Sequence, residues 1–161
     1  MVIILMGVSG AGKTTIGRLL AEDLGWQFYD GDDFHPRTNI DKMQQGIALT
    51  DADRDPWLIV LEEIIHNVVR NRRPAVIACS ALKNAYRKRL QTDPDIVKLV
   101  YLRGSYPLIQ KRMQERQGHY MKENLLASQF DTLEEPAGGL TIDIAQEPMV
   151  IVGLIKVALG L

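Results

Sequence analysis

The stretch Gly7-Val8-Ser9-Gly10-Ala11-Gly12-Lys13-Thr14 decides how this chain folds. It matches the pattern G-x-x-x-x-G-K-[ST] at every defined position. In that pattern the glycines let backbone N–H groups curl around phosphate oxygens, the lysine reaches the β- and γ-phosphates, and the hydroxyl ligates Mg²⁺. The stretch therefore predicts a site for a nucleoside triphosphate. The residues expected to bind it are Gly7, Val8, Ser9, Gly10, Ala11, Gly12, Lys13, Thr14 and Thr15.

The segments on either side of this loop support that interpretation. Val2–Met6, before it, is a continuous apolar run, as expected of a strand buried on both faces. Lys13–Leu24, after it, carries its apolar residues on one helical face, and Gly25 follows as a residue suited to end the helix. Glycine-rich turns also join strands to helices in α/β folds with other functions, so this context is what favours phosphate binding.

Beyond the loop, short apolar strands alternate with amphipathic helices, which predicts a single α/β domain over residues 1–161 with a parallel sheet and right-handed crossovers. The predicted strands are Val2–Met6, Trp26–Tyr29, Ala75–Cys79, Val97–Leu102 and Thr141–Ile144. The predicted helices are Lys13–Leu24, Ile40–Gln45, a long one with Pro56 in its first turn, Lys83–Gln91 capped by Ser80, one from Ser105 to about Gln117, Glu123–Leu133, and one from about Pro148.

Composition narrows the classes of partner. The 161 residues include 19 Lys and Arg against 20 Asp and Glu, a formal net charge of −1, so no overall basic field predicts nucleic-acid binding. No stretch approaches the roughly 18–20 apolar residues of a membrane span, and we expect no membrane partner. Cys79 is the only cysteine, which excludes an internal disulfide and favours a cytoplasmic location.

A pair of carboxylates indicates which kind of nucleotide protein this is. The strings N-K-x-D and D-x-x-G, typical of small GTPases, do not occur. Asp30-Gly31-Asp32 instead ends the second predicted strand, at the sheet edge where ligands of open parallel sheets bind. Asp30 is placed to hold Mg²⁺ through a water, and Asp32 to orient or deprotonate an acceptor hydroxyl. Asp-Gly is also common turn chemistry; together with the phosphate loop, the pair favours a small-molecule kinase.

Polar residues downstream suggest the acceptor. His35 and Asn39 suit sugar hydroxyls, and Arg54 could clamp a carboxylate through two parallel hydrogen bonds. The basic helix after the third strand is either a solvated face or a source of cations for an anionic substrate; its cations are Lys83, Arg87, Lys88 and Arg89. The residues alone favour a polyhydroxylated acid.

Two further pairs of residues complete the predicted site. Arg112 and Arg116 lie four residues apart, share a helical face and are candidates to stabilise the transferring phosphoryl group from a closing lid; surface arginines are the alternative. Gln146 and Pro148, after the fifth predicted strand, are expected to border the adenine. Trp57 is expected in the core rather than in a pocket wall.

Together these residues resemble the gluconokinases of the thermoresistant type, P-loop kinases related to shikimate kinases and nucleoside monophosphate kinases. The resemblance covers nearly the whole chain. It rests on Met6–Thr14, Asp30-Gly31-Asp32, His35-Pro36 with Asn39, Lys42-Met43, Asp51, Asp53-Arg54, Pro56-Trp57-Leu58, Cys79–Lys83, Tyr86-Arg87, Arg112, Arg116, His119, Ser128-Gln129-Phe130, Leu133-Glu134 and Pro136. One departure is Ala48, where the family has a proline.

The resemblance implies ATP- and Mg²⁺-dependent phosphorylation of D-gluconate at its 6-hydroxyl. It also implies a three-layer P-loop kinase fold: a five-stranded parallel sheet in the order 2-3-1-4-5 with helices on both faces, a helical lid at about residues 112–136, and a homodimer. The substrate-binding residues it implies are Asp32, His35, Asn39, Arg54, Lys83, Arg87 and His119.

Two alternatives stay open at this stage. Shikimate also carries a carboxylate and hydroxyls, but shikimate kinases show a glycine-rich stretch after the third strand, whereas Cys79–Lys83 contains no glycine. The second alternative is a nucleotide-sensing module without catalysis, which the intact Lys13, Thr14, Asp30 and Asp32 disfavour.

Overall fold

Five short, mostly apolar segments form one parallel sheet in the computed structural model, which describes residues 1–115 and 123–161. The strands are β1 (Val2–Met6), β2 (Gln27–Asp30), β3 (Ala75–Ala78), β4 (Val97–Arg103) and β5 (Leu140–Asp143). Their order is β2-β3-β1-β4-β5, and all neighbours run parallel. The predicted topology is confirmed. Helical crossovers after each of the first four strands return the chain to the same end of the sheet.

The helices are α1 (Lys13–Leu24), α2 (Arg37–Gln44), α3 (Asp51–Arg70), α4 (Asn84–Leu90), α5 (Tyr106–Glu115), α6 (Glu123–Thr132) and α7 (Pro148–Leu159). A 3-10 turn, Gly31–Phe34, follows β2. Among the residues that the structure describes, no helix is both long enough and apolar enough to cross a membrane.

The central strand β1 shows why the fold has three layers, with the sheet between two layers of helices. All five of its residues are buried, and successive side chains point to opposite faces of the sheet. Ile3 and Leu5 join the core cluster that includes α1 and α7, whereas Ile4 and Met6 join the cluster that includes α3 and α4. Because both faces of the sheet are covered by helices, only its edges and strand ends are left for binding.

The start of α3 differs from the sequence-based prediction. The helix begins at Asp51, and Pro56 lies inside it rather than in its first turn. Thr50 and Asp53 form a capping box: Asp53 N–H donates to Thr50 Oγ1 at 3.1 Å, and Thr50 N–H donates to Asp53 Oδ2 at 2.9 Å. The prediction was wrong because the capping signal lies upstream of the proline, and it brings Arg54 into the helix.

The segment between β3 and α4 also differs. Ser80 does not cap α4, which begins after Lys83 and has no side-chain cap. Ser80 instead belongs to a loop in which Ala81 adopts a left-handed conformation, φ 43°. The Ser80 carbonyl accepts a hydrogen bond from Gly7 N–H at 3.3 Å. The loop therefore lies directly beside the glycine-rich stretch.

Candidate active site

The candidate site lies where the carboxyl ends of β1, β2 and β3 meet, the edge at which open parallel sheets bind ligands. The glycine-rich loop leaves β1, Asp30 ends β2, and the Ser80 loop leaves β3. Their adjacency follows from the strand order, in which β1 and β2 both flank β3.

The glycine-rich loop has the geometry its sequence predicts. Gly10 and Gly12 have φ values of 82° and 91°, which only glycine adopts readily. A Cβ on Gly7 would lie 2.8 Å from the Leu102 carbonyl oxygen, so this position has no room for a side chain. Lys13 Nζ donates to the carbonyls of Gly7 at 2.9 Å and Val8 at 3.0 Å, which lays its side chain along the loop. The ammonium is thus held at the rim of the loop.

The Thr14 hydroxyl and the Asp30 carboxylate lie next to each other at the start of α1. Thr14 Oγ1 donates to Asp30 Oδ2 at 2.6 Å, which joins the helix to the end of β2. The other oxygen, Asp30 Oδ1, accepts from Asp32 N–H at 3.1 Å and fixes the turn that presents Asp32. Carboxylate and hydroxyl oxygens are the donors that Mg²⁺ prefers, so the pair fits the predicted metal role.

A hollow on one side of the loop gathers the predicted nucleotide-binding residues. Gly10–Gly12 and Thr15 line it together with Arg112, Gln146 and Pro148. Arg112 Nη2 donates to the Ile144 carbonyl at 2.7 Å, which ties α5 to the segment after β5. The structure thus brings Arg112 to the side of the loop where Gln146 and Pro148 lie.

A separate cleft opens on the other side of the loop. Its lining residues include Lys13, Asp32, Arg54 and Tyr86. Its remaining lining residues are Ser9, His35, Met43, Ala48, Leu49, Trp57, Ser80, Leu82, Leu125, Ser128 and Gln129. The cleft therefore places a candidate catalytic carboxylate and a guanidinium in the wall of a single cavity.

Stacking on Trp57 and a hydrogen bond with the Asn39 amide fix His35 in this cleft. Its ring lies parallel to that of Trp57 at a centroid distance of 4.4 Å, and Trp57 Nε1 donates to the Gly31 carbonyl at 2.7 Å. Trp57 therefore belongs to the hydrophobic core, as predicted, and it also forms part of the cleft wall, contrary to the prediction. Asn39 Nδ2 lies 3.3 Å from His35 Nδ1 and donates to the Asp53 carbonyl at 2.8 Å. Asn39 is buried and acts through His35 rather than lining the cleft.

The tautomer of His35 follows from these contacts. Because Asn39 supplies an N–H to Nδ1, the neutral ring carries its proton on Nε2. Burial lowers the pKa of His35, opposed by the charge of Asp32 and reinforced by that of Arg54. The ring is therefore neutral near pH 7.

A charged network forms the wall around Arg54. Arg54 Nη1 donates to Tyr86 Oη at 3.1 Å, and Tyr86 Oη in turn donates to Asp51 Oδ1. Lys83 Nζ contacts both Asp51 oxygens, at 2.8 and 3.1 Å. The hydrogen bonds from Lys83 and then Tyr86 lower the pKa of Asp51, and Asp51 raises the pKa of Lys83. One carboxylate thus holds two predicted substrate-binding cations.

The position of Arg87 differs from the one implied by the family resemblance. Arg87 is 5% exposed and does not line the cleft. Its Nη1 donates to the carbonyls of Ala81 and Leu82, each at 2.9 Å. The guanidinium therefore lies behind the cleft wall.

Helix α6 closes one side of the cleft. Leu125 and Ser128 line it, and Gln129 Oε1 accepts a hydrogen bond from Ser9 N–H of the glycine-rich loop at 2.6 Å. Asn124 Nδ2 donates to the Gly46 carbonyl at 3.0 Å. This helix falls within the predicted lid at residues 112–136. The predicted site residues Arg116 and His119 lie outside the residues that the structure describes.

The family model described as shikimate kinase matches residues 9–135. The thermosensitive gluconokinase of Escherichia coli K12 is 49% identical over 133 residues, covering 83% of this chain and 71% of that protein. A probable gluconokinase of Xenopus tropicalis is 44% identical and covers 97% of this chain and 92% of that protein. This chain belongs to the gluconokinase family.

Solved structures agree with this assignment. A gluconokinase from Sinorhizobium meliloti 1021 superposes with a TM-score of 0.88 at 42% identity, covering 98% of this chain and 90% of that one. The shikimate kinase of Aquifex aeolicus, at 18% identity and a TM-score of 0.63, shares the fold alone. The resemblance stated from the sequence, the P-loop kinase fold and membership of the gluconokinases are confirmed.

Several residues of this gluconokinase site were not predicted as site residues. Asp51, Tyr86 and Gln129 belong to motifs of the resemblance, yet their contacts depend on where α3, α4 and α6 meet. Asp51 and Arg54 lie three residues apart on α3, a spacing that predicts a contact once the helix start is known. Ser9 and Gln129 are 120 residues apart, and no local signal pairs them.

Proposed function

We propose that this gluconokinase transfers the γ-phosphoryl group of ATP to the 6-hydroxyl of D-gluconate, with Mg²⁺ as cofactor. The observation that carries the proposal is the single cleft whose wall contains Lys13, Asp32, Arg54 and Tyr86. A sugar acid carries hydroxyls, which suit Asp32, and a carboxylate, which suits the Arg54 guanidinium. The names of the relatives supply the identity of the acid.

The nucleotide half of the mechanism rests on backbone donors. The triphosphate binds against Gly7–Thr15, where N–H groups and the amino end of α1 stabilise its charge. Lys13 exchanges its contacts with the Gly7 and Val8 carbonyls for phosphate oxygens, because a charge-assisted hydrogen bond is stronger than one to a neutral carbonyl. Arg112, Gln146 and Pro148 border the nucleotide from the adjoining hollow.

The metal has a matching set of oxygens in this chain. Thr14 Oγ1 and Asp30 Oδ2 would hold Mg²⁺, Asp30 through a water, as sites that share Mg²⁺ with substrate phosphates commonly do. When bound, the ion neutralises charge on the phosphates. Thr14 and Asp30 already face each other, so their side chains need little rearrangement to serve the metal.

The acceptor half rests on charged and polar side chains. Asp32 orients the 6-hydroxyl and accepts its proton as the new phosphate ester bond forms. Arg54 binds the carboxylate, and Lys83 adds positive charge nearby. His35 offers its Nε2–H to a hydroxyl of the sugar, with Asn39 holding the ring. Arg116 and His119 complete the proposed set, with residues 112–136 as a lid.

The acceptor decides between this proposal and its nearest rival. The matching family model is named for shikimate kinase, so shikimate is the second candidate acceptor. ADP release is measured with ATP and Mg²⁺ and with gluconate, shikimate or AMP in parallel. The proposal expects turnover with gluconate alone. Turnover with shikimate or AMP would overturn the acceptor, and nucleotide binding without any acceptor-dependent turnover would favour a non-catalytic module. The homodimer implied by the resemblance and the cytoplasmic location favoured by the single cysteine stay predictions.

A further inference from the structure

Arg87 is a buried cation whose partners are backbone oxygens. Within residues 1–115 and 123–161, no carboxylate lies within 4.0 Å of its guanidinium. Its Nη1 donates to the carbonyls of Ala81 and Leu82. Burial lowers the pKa of Arg87, and the charge of Glu134 opposes that shift. Burying a guanidinium costs free energy unless its N–H groups are hydrogen-bonded. The burial of Arg87 at this position therefore needs a structural reason.

The reason is the conformation of the residue it contacts. Ala81 is fully buried and has φ 43°, in the left-handed region that residues with a Cβ rarely adopt. Such a conformation persists only where the surroundings impose it. A second restraint acts one residue later, where Glu134 N–H donates to the Leu82 carbonyl at 2.9 Å. Arg87 and Glu134 thus hold the turn from two sides.

The turn shapes the acceptor cleft. Ser80 and Leu82, on either side of Ala81, line the cleft. The Ser80 carbonyl also accepts from Gly7 N–H, which joins the turn to the phosphate loop. A shift of this turn would therefore move the wall of the cleft relative to the phosphate loop.

We propose that Arg87 is a positioning residue that clamps the strained Ala81 turn and so sets the acceptor-cleft wall formed by Ser80 and Leu82. This inference rests on the proposed function only for the identity of the acceptor. It gives Arg87 a role without substrate contact, unlike the role that the family resemblance implies for it.

The test compares Arg87 with a matched arginine on the same helix. Arg89 pairs with Glu62 at 2.6 Å and Asp55 at 2.7 Å and so joins α4 to α3, away from the turn. Arg87→Met is expected to raise the gluconate KM about tenfold, the effect of losing about one hydrogen bond between the displaced cleft wall and the acceptor, and to leave the ATP KM within about twofold. Arg89→Met is expected to lower Tm with both KM values unchanged.

A second substitution separates clamping from charge. Ala81→Gly removes the strain, because glycine adopts φ 43° freely. In the Arg87→Met background it is expected to recover part of the lost gluconate affinity. An Arg87→Lys variant that equals the wild type, together with no recovery by Ala81→Gly, would overturn the proposal and indicate a role of charge alone. If Arg87→Met does not fold, Arg87→Lys with and without Ala81→Gly takes its place.

Hydrogen exchange provides a readout that needs no substrate. The Glu134 amide reports on the turn, because it donates to the Leu82 carbonyl. Its exchange is expected to quicken in Arg87→Met and not in Arg89→Met; equal rates in both variants would overturn the proposal. If the wild type fails to phosphorylate gluconate, the proposed function fails, and this exchange experiment still decides the role of Arg87.

Discussion

The nucleotide half and the acceptor half of the site are built in different ways. The nucleotide half is one contiguous stretch, Gly7–Thr15, whose chemistry lies mostly in backbone N–H groups. The acceptor half is assembled from side chains of the 3-10 turn, α2, α3, the Ser80 loop, α4 and α6. A backbone site requires glycines and a lysine at fixed spacing, whereas a side-chain site requires only that distant segments meet. The first can therefore be read in full from a short motif, and the second only in part.

The two halves of the site also differ in the groups that their cationic side chains contact. The phosphate loop offers a lysine held by the neutral carbonyls of Gly7 and Val8. In the acceptor half, Arg54 and Lys83 are both engaged by the network around Asp51. We therefore expect substitutions in the nucleotide half to reduce the rate of phosphoryl transfer most, and those around Arg54 to act mainly on gluconate affinity.

The largest effect is expected from Lys13→Ala. Loss of the ammonium removes a donor to the transferring phosphoryl group and should lower kcat by about 10²–10³-fold, the usual cost of removing one group that stabilises transition-state charge. Lys98 also donates to a backbone carbonyl, that of Pro94, but lies away from the cleft, so Lys98→Ala is the control. Steady-state kinetics and circular dichroism measure activity and fold; near-normal turnover of Lys13→Ala would remove the lysine from the mechanism.

Asp32→Asn tests the step in which the phosphoryl group passes from the nucleotide half of the site to the acceptor half. The amide keeps the size of the side chain but neither accepts a proton nor carries charge, so phosphoryl transfer should fall by roughly 10²–10⁴-fold, while ATP binding measured by calorimetry is retained. The adjacent Asp33→Asn serves as the control and should be silent. An active Asp32→Asn enzyme would contradict the assignment of Asp32 as base or orienting group.

Arg54→Ala tests the acceptor half alone. Loss of hydrogen bonds from Arg54 to a carboxylate should raise the gluconate KM roughly tenfold to a hundredfold, with a much smaller change for ATP. Tyr86→Phe keeps the ring beside Arg54 but removes the hydroxyl that holds it, and should give a smaller increase of the same kind. Equal changes for both substrates would show that Arg54 supports the fold instead.

The smallest effect is expected from pH. Because the pKa of His35 is lowered by burial, the unfolded chain binds this proton at a higher pH than the native state does. Stability should therefore fall as pH drops below about 6.5 toward the lowered pKa, and gluconate affinity should fall with it as Nδ1 loses its bond from Asn39. His35→Gln should flatten this acid limb relative to the wild type. The exposed His66→Gln is the control and should retain it.

Much of the fold could be predicted because its signals are local. β1 and α1 have the predicted bounds, since a buried apolar run and a glycine at Gly25 mark them clearly. The predicted start of α3 was wrong, because Pro56 suggested a first turn at that position, whereas the helix begins at the Thr50 capping box. The Ser80 loop was also misread, since its conformation depends on Arg87 and on contact with Gly7.

The acceptor residues were predicted unevenly for a physical reason. Asp32, His35 and Arg54 follow motif positions and line one cleft. Arg87 has the same kind of motif support, yet it lies behind the wall, because sequence does not show on which side of a short helix a cation is buried. Gln129 reaches Ser9 only through the packing of α6.

The central claim is that the phosphate loop and the acceptor cleft act together on one molecule of gluconate. The position of the phosphate on the product tests this claim most directly. The enzyme is incubated with ATP, Mg²⁺ and D-gluconate, and the purified product is examined by ³¹P and ¹H NMR. With the carboxylate held at Arg54 and the far end of the sugar at Asp32, the phosphorus should couple only to the two protons of the primary carbon, C6. Coupling to a proton of a secondary carbon would contradict that orientation, and the absence of any phosphorylated gluconate would contradict the account as a whole.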